Sequence, residues 1–388
     1  SPARLPTIIA RGITFAQYAY RAIDIEGKRR AALVSEEPTD DPIGPSDPST
    51  YGKEVVGTTL EHVTISHCSR VAGYFRGDQL TIRHSLISDT STEGIYVIGS
   101  SDVLIEKNII RRNNVEKLTG YYPAAVKIFN QSYRVTVRDN LVIDHPNSNG
   151  VWYDVGNVDG LFINNWVEGT INGFFFEISK GAIAAGNVFV NCDRGVYILN
   201  SSNARVYHNT FVNAPASFER NGRGMGGDHF GWHPKTGPDV DQREGHVFFG
   251  NLMVGEETFI RPLLRFEQPQ MLCARLTRSQ AKRIDGNLYI RRDAGSQPLI
   301  TWSPAGDACQ TGFASLEEFQ KLPGGYEQQG RAFLHYQEAV FLCPYLRHLE
   351  LAQPLPQMQS LTAPEEALRV LGWKESAQVA GAYPLRLR

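Results

Sequence analysis

The feature that most restricts this chain is a period. Short apolar alternations recur every 22 to 25 residues, and each carries an asparagine three positions after an apolar strand residue: VLIEKNII (Asn108), VTVRDNLV (Asn140), LFINNWV (Asn165), IAAGNVFV (Asn187) and VYHNTFV (Asn209). FFGNLMV (Asn251) and IDGNLYI (Asn287) follow at longer intervals, while the steps from Asn140 to Asn209 are 25, 22 and 22 residues. Units this short cannot bury an apolar face alone, so copies must stack. The period predicts an all-β solenoid, a right-handed parallel β-helix in which each strand pairs with its counterpart in the next coil. Asparagine returning to one slot satisfies turn backbone groups, and stacked copies form a ladder. Upstream, IIARGITF (Gly12), LEHVTISHC (Val63) and LTIRHSLIS (Ser85) read as degenerate coils.

The solenoid is expected over residues 1–293, with loop insertions near 36–51, 112–123 and 214–245. Insertions in repeat proteins gather on one binding face. From 294 to 388 the period fades into an extension with short helices that pack on or cap the solenoid. SLEEFQK offers a capping box from Ser315 to Glu318, TAPEEALRVLG pairs Thr362 with Glu365, and QVAGAYPL reads as a last strand. The chain opens at Ser1-Pro2 without an initiator Met, so residues ahead of Ser1 are expected.

A net charge of −2 and a pI near 6.6 argue against a polyanion-binding surface, so nucleic acid is not expected as a partner. No run of 18 apolar residues spans a membrane. Among five cysteines, Cys68 and Cys192 fall in the repeats as buried thiols. Cys273 and Cys309 are candidates for a disulfide, which tilts the otherwise open choice of compartment toward a secreted or periplasmic one. Oligomeric state is not encoded in any of these features.

Chemistry concentrates between Asn149 and Glu177. Gly150-Val-Trp-Tyr-Asp154 and Gly173-Phe-Phe-Phe-Glu177 repeat one pattern, a glycine followed by four residues ending in an acid, at a common offset of 23 residues. Aligned with Gly94-IYVI, Ala125-VKIF and Gly195-VYIL, these rows place Val151, Tyr153, Phe174, Phe176, Val196 and Ile198 on the core face. The outer face then carries Tyr96, Lys127, Trp152, Phe175 and Tyr197 in one column, and Ile98, Phe129, Asp154, Glu177 and Leu199 in the next.

Parallel strands lie about 4.8 Å apart, so the Asp154 and Glu177 carboxyls should sit on the order of 5 Å apart. That matches retaining glycosidases, at about 5 to 5.5 Å, and is too short for inverting ones. Asp154 is expected as nucleophile and Glu177 as acid/base, so that Asp154→Ala abolishes turnover with little loss of folding. Trp152, Phe175, Tyr197 and Tyr96 would form an apolar platform for a sugar face, an otherwise unexplained exposed patch. Lys127 would bind a substrate hydroxyl or hold the nucleophile ionised. The polar 214–245 insertion concentrates Arg223, Asp228, His229, Trp232, His233, Asp239 and Arg243, and reads as a lid supplying Trp232, His233 and Arg243 to substrate rather than as a metal site. Glu93, Asp144, Asp159, Glu168 and Asp193 fall in turns, where acids are ordinary.

At WYD…FFFE the chain resembles the family-120 glycoside hydrolases, β-xylosidases built on a right-handed parallel β-helix. The resemblance covers roughly residues 8 to 290 and is strongest from Lys127 to Glu177. It implies an Asp nucleophile at Asp154 and a Glu acid/base at Glu177 on neighbouring coils. Family members look longer, with a β-sandwich unit that is not visible here. The resulting expectation is a retaining hydrolase of oligosaccharides or glycan ends that needs no cofactor, with carbohydrate as its partner. Two rivals are a polysaccharide lyase, with Lys127 as base and Ca²⁺ held by the two acids, and a non-catalytic carbohydrate-binding solenoid. In the latter a structural Ca²⁺ or Lys127 would bridge an acid ladder.

Overall fold

The computed structural model describes residues 8–26, 57–119, 123–129, 131–222, 243–292, 297–353, 361–374 and 380–382. Through them the chain winds as a parallel β-helix, each coil giving one short strand to each of three sheets of 10, 11 and 11 strands. Pairing is parallel throughout the coils, and the antiparallel pairing of Ile300–Trp302 with Thr311–Phe313 ends the third sheet. Most strands have only three to six residues, with apolar side chains at the inward positions. Stacking places like on like, so Phe189 and Phe211 rings lie 5.0 Å apart and Phe218 and Phe266 4.6 Å, while Phe162 meets Phe174 of another sheet across the core at 4.9 Å. Val151, Tyr153, Phe174, Phe176, Val196 and Ile198 all lie in this core, as their alternation predicts.

The asparagine column is one continuous ladder. Asn165 Oδ1 accepts from both the backbone N–H and Nδ2 of Asn140 (3.0 Å each), while Asn165 Nδ2 donates to Val137 O (2.9 Å) and Asn187 Oδ1 (3.1 Å). The pattern repeats through Asn187, Asn209, Asn251 and Asn287. Residues preceding these asparagines, among them Asn164, Gly186, His208 and Gly250, take a left-handed conformation with φ from 47 to 67°. Ser85 extends the ladder upward by accepting from Val63 N–H, and the buried Glu327 ends it by accepting from Asn287 Nδ2 (2.7 Å) and Tyr289 OH (2.6 Å).

Three boundaries differ from expectation. Residues 216–219 lie in the expected 214–245 insertion yet form a regular strand, because Ala216 and Phe218 face the core and leave Ser217 and Glu219 outward. Parallel rungs also continue past residue 293, with Ile300 and Thr301 paired to Leu264 and Arg265, and Arg331–Leu334 paired to Leu288–Arg291. The last helix, Glu365–Leu371, starts from Pro364 with no side-chain cap, so Thr362 caps nothing, whereas Ser315 accepts from Glu318 N–H as its motif predicts. The 36–51 segment lies outside the described residues, and of QVAGAYPL only 380–382 are described. They dock through Gly381 N–H on Gly250 O and Ala382 N–H on Thr210 Oγ1, without strand pairing.

Cys273 and Cys309 are disulfide-bonded with Cα atoms 5.6 Å apart, and Cys68 and Cys192 are buried thiols. The C-terminal extension packs on two of the three outer faces. Ala367 joins Ile183, Tyr207 and Phe249 over the first sheet, while Phe341, Leu349 and Leu361 cover Val188, Val212 and Leu252 on the second. Among the described residues no helix is long and apolar enough to cross a membrane.

Candidate active site

On the outer face of the third sheet, strands Ala124–Phe129, Asn149–Asp154, Asn172–Glu177, Arg194–Leu199, Ala216–Glu219 and Leu264–Glu267 stack in order. Register sets two columns side by side. One runs Tyr96, Lys127, Trp152, Phe175, Tyr197, Ser217, Arg265, and the other Ile98, Phe129, Asp154, Glu177, Leu199, Glu219, Glu267. Asp154 and Glu177 are therefore direct cross-strand partners on adjacent rungs. Both are buried, at 6% and 2% exposure, so the pair is withdrawn from bulk water and each charge matters more than it would at a surface.

Lys127 supplies a counter-charge. Its Nζ lies 3.1 Å from Asp154 Oδ2 and 3.7 Å from the centre of the Trp152 ring, and the side chain is 1% exposed. A desolvated ammonium over an indole face is worth about 2 kcal/mol, which helps hold this lysine inside. The expectation of little loss of folding in Asp154→Ala is revised on this ground, because the substitution would strand a buried cation.

The aromatics are in the expected column but do not form an exposed patch. Trp152 stacks on Phe175 (4.8 Å, 16°) and Phe175 on Tyr197 (4.7 Å, 21°), and all three are buried. Their faces satisfy one another along the rungs, forming an apolar wall beside the acids. Tyr96 belongs to a separate group beyond Lys127, meeting Tyr74 and Phe129 edge-on. Burial raises the Tyr197 hydroxyl well above its ordinary value, with Glu219 adding to the effect, and that hydroxyl donates to Glu219 Oε2 at 2.8 Å.

Both acid-bearing strands are held at each end. At their starts Asn172 Nδ2 donates to Asn149 Oδ1 (2.7 Å), and Asn149 Nδ2 donates to Pro123 O (3.0 Å). Gly150 and Gly173 follow, where a Cβ would come within 2.6 Å of the next coil's glycine carbonyl, so the leading glycine of each repeat is a packing requirement. At their ends runs a second ladder that period-reading missed: Ser132 N–H to Asn157 Oδ1, Asn157 N–H to Ser179 Oγ, and Ser179 N–H to Ser201 Oγ, each 3.1 Å. Asn157 Nδ2 also donates to Asp154 O (2.8 Å), and Ser179 Oγ donates to Glu177 O (2.7 Å). Each member lies eight residues before a rung of the asparagine ladder, the one signal that could have revealed it.

Immediately after the two acids, Val155 and Ile178 adopt φ of 51° and 45°, where β-branched side chains are outliers. Equivalent turns use Gly99 and Asn200, which tolerate this conformation cheaply. About 1–3 kcal/mol of strain per residue is thus borne at the two coils that carry carboxylates.

Other candidates fall elsewhere. Arg243 is fully buried, and its Nη1 donates to Asn200 Oδ1 (2.9 Å) and Asn221 O (2.6 Å) while its carbonyl accepts from Arg220 Nε. It braces the turn below Leu199 rather than facing the wall, because backbone acceptors surround it. Trp232 and His233 lie outside the described residues. Two of the acids expected in turns lie in strands instead, Asp144 in Leu141–His145 and Glu168 in Trp166–Thr170, where Glu168 pairs with Arg347 at 2.7 Å and ties the solenoid to its extension. Among the described residues no group of three or more His, Cys, Asp or Glu could hold a metal ion.

Comparison with known proteins identifies the architecture. The model for a right-handed β-helix region matches residues 49–219. Among solved structures, XylC in complex with xylose is similar at 14% identity with a TM-score of 0.43, the match covering 74% of this chain and 48% of that one. A mutant of DFA-IIIase from Arthrobacter chlorophenolicus A6, in complex with DFA-III, is similar at 11% identity with a TM-score of 0.37, covering 71% and 64%. The chain thus spans about half the length of the first and less than two thirds of the second. No curated protein matches it.

Proposed function

We propose that this right-handed β-helix is a retaining glycoside hydrolase acting on oligosaccharides or glycan ends, in the manner of a β-xylosidase. The observation that carries the reading is the in-register pairing of Asp154 with Glu177 on adjacent outward rungs. In the first step an Asp154 carboxylate oxygen bonds to the anomeric carbon as the glycosidic C–O bond breaks, and Glu177 gives its proton to the leaving oxygen. In the second, Glu177 takes a proton from water, whose oxygen displaces Asp154 and releases the sugar with its original anomeric configuration. Lys127 balances the nucleophile's charge, the Trp152–Phe175–Tyr197 wall excludes water, and the two ladders hold both strands in place before substrate arrives.

The lyase alternative assigns Lys127 as base and Ca²⁺ as counter-charge. Engagement of Lys127 Nζ with Asp154 and Trp152 favours the hydrolase, since the lysine already occupies the counter-charge role. A panel of aryl glycosides and uronate polymers, with proton NMR of the first-formed product, tests the reading. Release of the retained anomer is expected. An inverted anomer would reject the mechanism, an unsaturated product lost on chelation would establish the lyase, and glycan binding without turnover would leave a binding solenoid.

A further inference from the structure

Beyond Glu177 the outer face changes from apolar to polar. We infer that Arg194, Ser217, Glu219 and Arg265 form a subsite for the sugar on the leaving-group side of the cleaved bond, an inference that rests on the hydrolase reading. Ser217 follows Tyr197 in the first column and Glu219 follows Leu199 in the second, two rungs or about 10 Å from the Phe175 and Glu177 rung. The leaving oxygen meets Glu177 rather than Asp154, so rungs past Glu177 lie on the leaving-group side. Tyr96, Ile98 and Phe129 lie past Asp154 in the other direction.

Ser217 supplies the independent sign of a ligand. It is fully buried, sits between Tyr197 and Arg265 in the outward column, and its hydroxyl has no hydrogen-bond partner among the described residues. Nearly all buried hydroxyls are paired. Its neighbours are polar and held: the Arg194 guanidinium lies 4.2 Å over the Tyr197 ring and its Nε 3.6 Å from Glu219, while Arg265 makes a two-pronged pair with Glu267 at 3.0 and 2.6 Å. Thr301 Oγ1 donates to the same Glu267 at 3.0 Å. Two guanidinium groups matched by two carboxylates present donors and acceptors without net charge, which suits a neutral polyhydroxy ring and not a uronate.

The test compares xylobiose with nitrophenyl β-xyloside, which lacks the second sugar, in wild type, Ser217→Ala and Arg265→Gln. The ratio of kcat/KM for xylobiose to that for the aryl glycoside should fall about fivefold in Ser217→Ala, the effect of one neutral hydrogen bond, and further in Arg265→Gln. Ser217→Ala should denature no earlier than wild type, since its hydroxyl has no protein partner to lose. An unchanged ratio, or a clear loss of stability in Ser217→Ala, overturns the subsite. If wild type turns over neither compound but cleaves another aryl glycoside of the panel, the same ratio is taken with that sugar's disaccharide; if it cleaves none, the hydrolase reading fails by itself, and xylobiose calorimetry judges the subsite: weaker binding by Arg265→Gln supports it and equal affinity overturns it.

Discussion

Replacing Lys127 by methionine removes a cation from a site that water does not reach. Lys127 is 1% and the Asp154 side chain 9% exposed, with 3.1 Å between Nζ and Oδ2. At an effective dielectric of about 20, two unit charges at that distance attract by about 5 kcal/mol, most of which offsets the cost of burying them. Removing one partner leaves the other charged and dry, a loss of about 3–5 kcal/mol. Lys127→Met and Asp154→Asn should each show a penalty of that order in equilibrium urea denaturation, followed by circular dichroism and by the fluorescence of Trp152 beneath the ammonium. The double variant should cost less than the sum by about 2 kcal/mol or more, because a methionine beside an asparagine strands no charge. Added salt should change the coupling little, since buried pairs are poorly screened. Single penalties below about 1 kcal/mol that simply add would refute the claim that the two side chains form one buried unit.

Two further outcomes concern the ladder. Asn165→Leu deprives Asn140 N–H, Asn140 Nδ2 and Val137 O of a shared partner inside the core, and should destabilise by at least about 3 kcal/mol in the same titration; a loss under about 1 kcal/mol would show the ladder to be incidental. At the ladder's end, burial raises the Glu327 carboxyl to about 8 from an ordinary value near 4.5. The unfolded chain therefore ionises first, so this group's contribution to stability is complete below about pH 4.5 and is lost as pH rises through about 8, on the order of 5 kcal/mol in all. Glu327→Gln should flatten the dependence of stability on pH across that window, and an unaltered slope would assign it to other groups.

Much of this molecule is written in repeated identity. Asparagine is nearly the only residue able to make the bonds seen at Asn140 through Asn287, so its column survives as one letter and can be read directly. The acids were legible because each ends a strand led by a glycine that the next coil's glycine carbonyl leaves no room to replace, which keeps their register visible. The second ladder was not, because its task of accepting one N–H from the preceding coil suits serine as well as asparagine, and Asn157 interrupts the serines Ser132, Ser179 and Ser201. Ala216–Glu219 was hidden for a related reason: two polar outward residues followed by a polar insertion look like loop until the core contacts of Phe218 are seen. Burial was the least legible property. Column positions of Trp152, Phe175 and Tyr197 follow from alternation, but their stacking and the enclosure of Lys127 depend on neighbouring rungs in three dimensions. The Cys273–Cys309 bond, by contrast, was a candidate from the sequence and is formed in the structure.

The account rests on Asp154 becoming covalently bound to sugar, and trapping that intermediate tests it most directly. Wild-type protein incubated with a fluorosugar glycoside that forms but slowly releases the intermediate, then digested and mapped by mass spectrometry, should carry one glycosyl group, as an ester on Asp154. A label on another residue, or steady turnover of unmodified glycosides with no adduct at all, would contradict it.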